Sequence, residues 1–281
     1  MKIFLTGSKG QLANEFIKRF NEKNIDFLAL SKEELDISNF ENVIKTIKEY
    51  KPDIIINCAA YNLVDKAEEE FEKAYAVNGA GVYNLAVASL ETKSLLIHYS
   101  TDYVFDGKKE GLYTEEDIPN PLSRYAISKY IGEKNIQNIL ERYIIFRVSW
   151  VYGEGKQNFL YKLNYWAESQ EYLKIACDEF SVPTSTRTIV DITLKSIQKG
   201  LTGLYHLTNS GYTSRFEWAR EYLKLKKIDK FIYPAYQQDF NLPAKRPRFS
   251  AMSNDKICKE LGIQIKEWNE ELKELIDTGE I

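Results

Sequence analysis

Short apolar runs alternate with amphipathic stretches through the first half of the chain. Lys2 to Thr6 is apolar and ends at Gly7, and Asn14 to Phe20 then places apolar residues at helical spacing. That order predicts a strand followed by a helix. Ile25 to Leu30, Ile54 to Cys58, Ser94 to Ser100 and Tyr143 to Arg147 repeat the strand pattern, with helical stretches or loops between them. Ile54 to Cys58 is apolar on both faces, as a central strand of a parallel sheet should be. One helix is expected to start after Leu35-Asp36-Ile37-Ser38, with Ser38 as its N-cap. Another is expected along Asp65 to Ser89, with the polar Asn78 in an otherwise apolar neighbourhood. Asn78 either helps to position a site or satisfies local backbone. The alternation predicts right-handed βαβ units and an α/β fold with a doubly wound parallel sheet over residues 1–150.

The pattern changes beyond residue 150. Helices are expected over Asn158 to Ser169, Thr188 to Lys199, Ser214 to Leu223 and Glu267 to Ile276, with a strand at Gly203 to His206. Asp178 to Thr186 reads as a polar loop, and Asn241 to Arg248 as a basic loop with two prolines. Residues 151–281 are therefore expected to form mainly a smaller mixed α/β lobe over the ligand edge of the sheet. Some of their segments are expected to return to the sheet.

Composition narrows the functions. Hydrophobic residues make up 44% of 281 and charged residues 28%, as in a soluble globule. With 38 basic and 41 acidic residues the net charge is −3, which gives no electrostatic case for nucleic acid or an anionic membrane. No apolar run approaches the ~20 residues of a membrane helix, and Met1 leads directly into a strand, so no signal peptide is expected. The three cysteines, Cys58, Cys177 and Cys258, have no zinc spacing, and there are only two histidines. Free thiols in a reducing cytosol and no metal are the expectation.

Candidate chemistry gathers where strands end. Gly7-Ser8-Lys9-Gly10-Gln11-Leu12-Ala13 joins the first strand to its helix. Gly7 permits a tight turn, Gly10 lets a pyrophosphate approach backbone, and Gln11 and Leu12 open a helix whose N-terminus favours phosphate. Ser31-Lys32 follows the second strand where an acidic residue would bind an adenosine ribose, which tilts the expectation toward NADPH over NADH. Asp36 and Ile37 are candidates for the adenine edge. Ala59-Ala60-Tyr61-Asn62 leaves room for a ligand beside the third strand. Thr101, followed by Asp102 and Tyr103, ends the fourth. Tyr125 and Lys129 lie four residues apart, on one helix face. A phenol and an ammonium so placed can address one ligand, and a nearby cation makes the phenol a better acid at neutral pH.

Together these residues resemble the extended short-chain dehydrogenase/reductase superfamily, and hence a Rossmann-type sheet. Gly10-Gln11-Leu12, Leu35-Asp36-Ile37-Ser38-Asn39, Asn57 to Tyr61, Val64 to Glu68, Ser100 to Gly107, Arg147 to Gly153, Pro183-Thr184 and Arg246-Pro247 are similar to the dTDP-4-dehydrorhamnose reductase family. Ala13, where the third glycine is usual, Ser31 and Arg248-Phe249-Ser250 depart from its pattern. The resemblance implies reduction of the 4-keto group of a nucleotide sugar by NADPH or NADH. Tyr125 would be the acid, with Thr101 holding the carbonyl oxygen. Lys129 would bind the cofactor ribose and lower the Tyr125 pKa. Asp102, Tyr103 and Trp150 would border the sugar, and Arg246 would take the substrate diphosphate. Some relatives hold magnesium between subunits, but only Glu15 matches such a site readily, so no metal is expected. A homodimer is compatible with the resemblance. Two other readings stay open: another sugar-nucleotide reductase or epimerase on the same scaffold, and a non-catalytic protein resembling the regulatory subunit of methionine adenosyltransferase.

Overall fold

The computed structural model describes residues 1–281. The first half runs β1 (Ile3–Thr6), α1 (Gln11–Glu22), β2 (Phe27–Leu30), α2 (Phe40–Tyr50), β3 (Ile54–Asn57), α3 (Phe71–Tyr75), α4 (Gly81–Thr92), β4 (Leu95–Thr101), α5 (Arg124–Ile139) and β5 (Tyr143–Val148). The second half adds β6 (Val151–Tyr152), α6 (Phe159–Ser169), β7 (Leu173–Ala176), β8 (Phe180–Ser181), β9 (Thr184–Ser185) and α7 (Thr186–Lys199). It closes with β10 (Gly203–His206), β11 (Thr213–Ser214), α8 (Arg215–Leu225), β12 (Ile232–Ala235), α9 (Asp255–Leu261) and α10 (Trp268–Asp277).

Six parallel strands form the main sheet in the order β10-β5-β4-β3-β1-β2. Successive side chains on a strand point to opposite faces. Ile3, Leu5, Ile54, Ile56 and Ile97 therefore enter one layer, with Phe16 and Phe20 of α1 and Ile189 and Ile192 of α7. Phe4, Ile55, Leu96 and Ile145 enter the other, with Val43 and Ile47 of α2, Leu85 of α4 and Ile136 of α5. Both layers are dry, which is why these strands read as continuous apolar runs. The lobe has a separate core in which Trp218, Tyr152, Tyr222 and Leu163 are fully buried. Within it β7 pairs with β12, while β8 pairs with β11 and β6 with β9.

Several sequence expectations need correction. The stretch Asp65 to Ser89 is not one helix: a 3₁₀ turn at Lys66–Glu68 precedes α3, and a π turn over Ala76–Ala80 joins α3 to α4. The cap of α2 is Asn39, whose side chain accepts from Asn42 N at 3.1 Å; Ser38 instead donates its hydroxyl to Asp36. Asp178 to Thr186 is not a solvated loop. It holds β8 and β9, and Ser181, Thr184 and Ser185 are fully buried. Their hydroxyls have partners inside the protein, so polarity alone misjudged their burial.

Candidate active site

The strand order reverses at β1, with β2 on one side and β3 on the other. Ligands of open α/β sheets bind at such a switch point, outside the carboxyl ends of the strands. Gly7 leaves β1 there with φ 69°, and an added Cβ would sit 2.8 Å from Ala59 N. No other residue type fits without moving the Cys58-Ala59 backbone that follows β3. Thr6 donates to Asn57 Oδ1 at 2.7 Å, and Asn57 Nδ2 lies 3.0 Å from His98 Nδ1, tying β1, β3 and β4 together beneath the opening. Burial holds His98 neutral, well below the usual imidazole range.

Two clefts share Gly10, Cys58, Ala59, Ala60, Asn62 and Gln157 and so form one trough. The outer cleft, about 270 Å³, also takes in Gly7, Lys9, Lys32, Asp36, Ile37 and Tyr61. The inner one, about 340 Å³, reaches Gln11, Leu12, Thr101, Asp102, Tyr103, Tyr125, Lys129 and Trp150. Between them lies the start of α1. Its N-cap is Gly10, which offers no side-chain cap, and no acidic residue occupies its first turn. The first N–H groups of a helix have no partner within it. Here they face a trough lined by small residues, and that fits the pyrophosphate of a dinucleotide.

Ser123 caps α5 by accepting from Ala126 N at 3.3 Å, which puts Tyr125 in the first turn and Lys129 one turn on. Both are buried. Burial pushes the Tyr125 phenol up and Asp102 adds to this, while the Thr101 hydroxyl opposes it. Lys129 donates through Nζ to Tyr99 O at 2.6 Å, and burial lowers its pKa to about 8 against the opposing charge of Glu133. Glu133 is itself held by Arg147, at 3.0 and 2.7 Å. In this geometry Tyr125 is a neutral phenol, the form that donates a proton.

Asp102 sits behind Thr101 and accepts from Ser250 Oγ at 2.5 Å and Ser181 Oγ at 2.8 Å. Burial nevertheless raises its pKa to about 6. Asn78, in the π turn, accepts from Tyr61 N at 2.9 Å and donates to Tyr61 O at 3.0 Å and Ser128 Oγ at 3.0 Å. It therefore joins the end of β3 to the helix carrying Tyr125 and Lys129. Gly132 lets that helix come close, since a Cβ there would lie against Asn78 O. Trp150 has φ 39°, which is rare for an aromatic residue.

Two candidates lie elsewhere. Ser31 is buried and outside the trough, with its N–H donating to Glu34 at 2.8 Å; Lys32 and Lys9 line the outer cleft in its place. Arg246 makes a two-pronged pair with Asp65, at 3.0 and 2.7 Å, and does not line either cleft. Lys9, Cys58 and Gln157 line the trough and were not singled out from the sequence. Lys9 and Cys58 lie within motifs that were, whereas Gln157 stands in a loop with no local signal.

The sheet order, the trough across the switch point and the Thr-Tyr-Lys cluster define a dinucleotide-binding α/β protein of the extended short-chain dehydrogenase/reductase type. More narrowly, the chain belongs to the family described as RmlD substrate binding domain, which matches residues 1–281. It is 33% identical to the spore coat polysaccharide biosynthesis protein SpsK of Bacillus subtilis (strain 168), over 98% of this chain and 96% of that protein. A crystal structure of a dTDP-4-dehydrorhamnose reductase from Clostridium acetobutylicum ATCC 824 is 36% identical with a TM-score of 0.96, covering 100% of both chains. The dTDP-4-dehydrorhamnose reductase of Bacillus anthracis str. Ames, solved in complex with NADP, is 32% identical with a TM-score of 0.95 over 99% of both chains. No helix is long and apolar enough to cross a membrane.

Proposed function

We propose that this protein is an NAD(P)H-dependent oxidoreductase that reduces the C4 keto group of dTDP-4-dehydro-L-rhamnose to give dTDP-L-rhamnose. The observation that carries this reading is the convergence of Thr101, Tyr125 and Lys129 on the inner cleft, continuous with a trough built for a dinucleotide. The names of the relatives supply the sugar.

Gly10 to Leu12 would hold the pyrophosphate, Ala59 to Asn62 the wall beside it, and Lys129 the nicotinamide ribose. When bound, the reduced nicotinamide supplies the hydride to C4. The chain must then manage the negative charge growing on the carbonyl oxygen. Thr101 holds that oxygen by a hydrogen bond, and Tyr125 gives it a proton, so that one hydride and one proton make the alcohol. Tyr125 arrives protonated because burial disfavours its anion. Without substrate the Thr101 hydroxyl donates to Asp102 at 3.2 Å, and it would turn that one proton to the carbonyl oxygen when the sugar binds. Two aromatic residues at strand ends would border the sugar, Trp150 after β5 and Tyr103 after β4.

The test supplies purified protein with dTDP-4-dehydro-L-rhamnose and either NADPH or NADH and follows cofactor absorbance. Stoichiometric loss of reduced cofactor and formation of dTDP-L-rhamnose are expected. Turnover of a nucleotide sugar without added reductant, on protein that carries tightly held NAD, would identify an epimerase instead.

A further inference from the structure

Trp150 and Tyr103 both line the inner cleft, yet they come from different strand ends, and neither is fixed by the sheet. Trp150 has a left-handed backbone that costs roughly 1–3 kcal/mol for a residue with a side chain, so its surroundings must hold it. Two side chains hold it: the Trp218 ring, stacked on it with centroids 5.6 Å apart, and Arg215. The guanidinium carbon lies 3.6 Å from the centre of the Trp150 ring. The same guanidinium donates through Nη2 to Glu179 Oε1 at 3.1 Å. Glu179 Oε1 in turn accepts from the Tyr103 hydroxyl at 2.9 Å. The Tyr103 ring meets the Tyr125 ring edge-on, with centroids 6.4 Å apart.

The backbone builds this chain of contacts. β8 and β11 pair antiparallel, Ser214 opposite Phe180, and Arg215 N donates to Glu179 O at 3.0 Å. Ser214 caps α8 by accepting from Glu217 N at 3.0 Å, so Arg215 leaves the pair as the first residue of the helix. Arg215 and Glu179 are largely buried, but neither lines the cleft. A planar guanidinium can stack on an indole and bind a carboxylate at once, which an ammonium cannot do as well.

We infer that Arg215 and Glu179 are a positioning pair that fixes the separation of Trp150 and Tyr103, and so sets which nucleotide sugar the cleft accepts. The inference rests on the reductase reading above. It goes further in placing sugar selection in an ion pair behind the cleft, not only in the residues facing it.

The experiment measures kcat and both KM values for Arg215→Ala, Trp150→Ala and the double variant, beside wild type. Wild-type turnover in the same assay judges the reductase reading separately. For Arg215→Ala, the KM for the sugar nucleotide should rise about tenfold, the scale of one desolvated cation–aromatic contact. The KM for NAD(P)H should stay within about twofold, because Arg215 lines neither cleft and reaches the inner one only through Trp150. In the Trp150→Ala background, Arg215→Ala should add little, since the ring through which it acts is gone. Additive effects in the double variant, or equal rises in both KM values, overturn the inference. Should Arg215→Ala fail to fold, Arg215→Lys serves. It keeps the charge for Glu179 but not the flat stack, and should give an intermediate sugar KM. A sugar KM unchanged from wild type in folded Arg215→Lys likewise overturns it.

Discussion

In the sheet, β1 sends Ile3 and Leu5 to one layer and Phe4 to the other, and every neighbouring strand follows the same alternation. In the lobe no such rule operates. Trp218 packs on Trp150 at 5.6 Å, on Tyr152 at 5.5 Å and on Phe159 at 5.0 Å, joining pieces of chain that share no period. The sheet positions chemistry through backbone geometry: a left-handed Gly7, an uncapped helix start, a Thr where a strand ends. The lobe positions its aromatic walls through side chains. A backbone device tolerates almost any neighbour, while a side-chain device needs its partner from a distant part of the sequence.

The sharpest test of the first region is Tyr125→Phe. It removes the proton but keeps the ring, so turnover should fall at least ~100-fold while NAD(P)H binding, read by fluorescence titration, is retained. Unchanged turnover would remove Tyr125 from the acid role. Trp218→Ala tests the second region. The side chain is fully buried, so the loss should be about 3–5 kcal/mol in denaturant unfolding. If the two regions are built as differently as described, this variant should raise the sugar KM more than the cofactor KM, in whatever fraction remains folded.

Asp102 links the regions, since its partners Ser181 and Ser250 belong to the second half of the chain. Its pKa is raised from 3.8 to about 6 by burial. Between those values the folded chain keeps a proton that the unfolded chain has released. Stability contributed by this group therefore falls as pH rises through that window and levels off above it. Asp102→Asn should flatten that part of the stability profile, measured by thermal unfolding from pH 4 to 7, on the order of those pKa limits. A profile parallel to wild type would show that the proton is not held there. The smallest effect is expected at Ser31. Ser31→Ala should change the ratio of NADPH to NADH activity by less than about twofold, because the side chain lies outside the trough. Lys32→Ala, which removes a cation lining the outer cleft, should move the ratio more.

The same contrast explains what could be read from the sequence. All six strands of the sheet were legible within a few residues, the inner ones because strands buried on both faces must be apolar. The Gly turn, Thr101 and the Tyr125/Lys129 spacing were legible because each is local. The π turn at Ala76–Ala80 was not: the stretch has ordinary helical composition, and the extra residue serves Asn78, which reaches Tyr61 and Ser128. Arg246 stands in a basic loop and invites a phosphate, but Asp65, 181 residues away in sequence, already holds it. Arg215 and Glu179 gave no local sign either. Lys129 was placed correctly on its helix, but the fate of its charge depends on Tyr99 and Glu133 around it.

β10 has a consequence for how the protein must be made. The sheet's outermost strand beside β5 comes from Gly203–His206, after most of the lobe's early segments. Until that strand is synthesised, β5 has an unpaired edge with apolar residues on both faces, the kind of edge that recruits other chains. A nascent chain stalled near residue 150, or a protein clipped there, would hold every residue of the proton-donating cluster and still be an aggregation template. Completion of the chain, more than assembly of the site, is then the event that makes this protein safe to release.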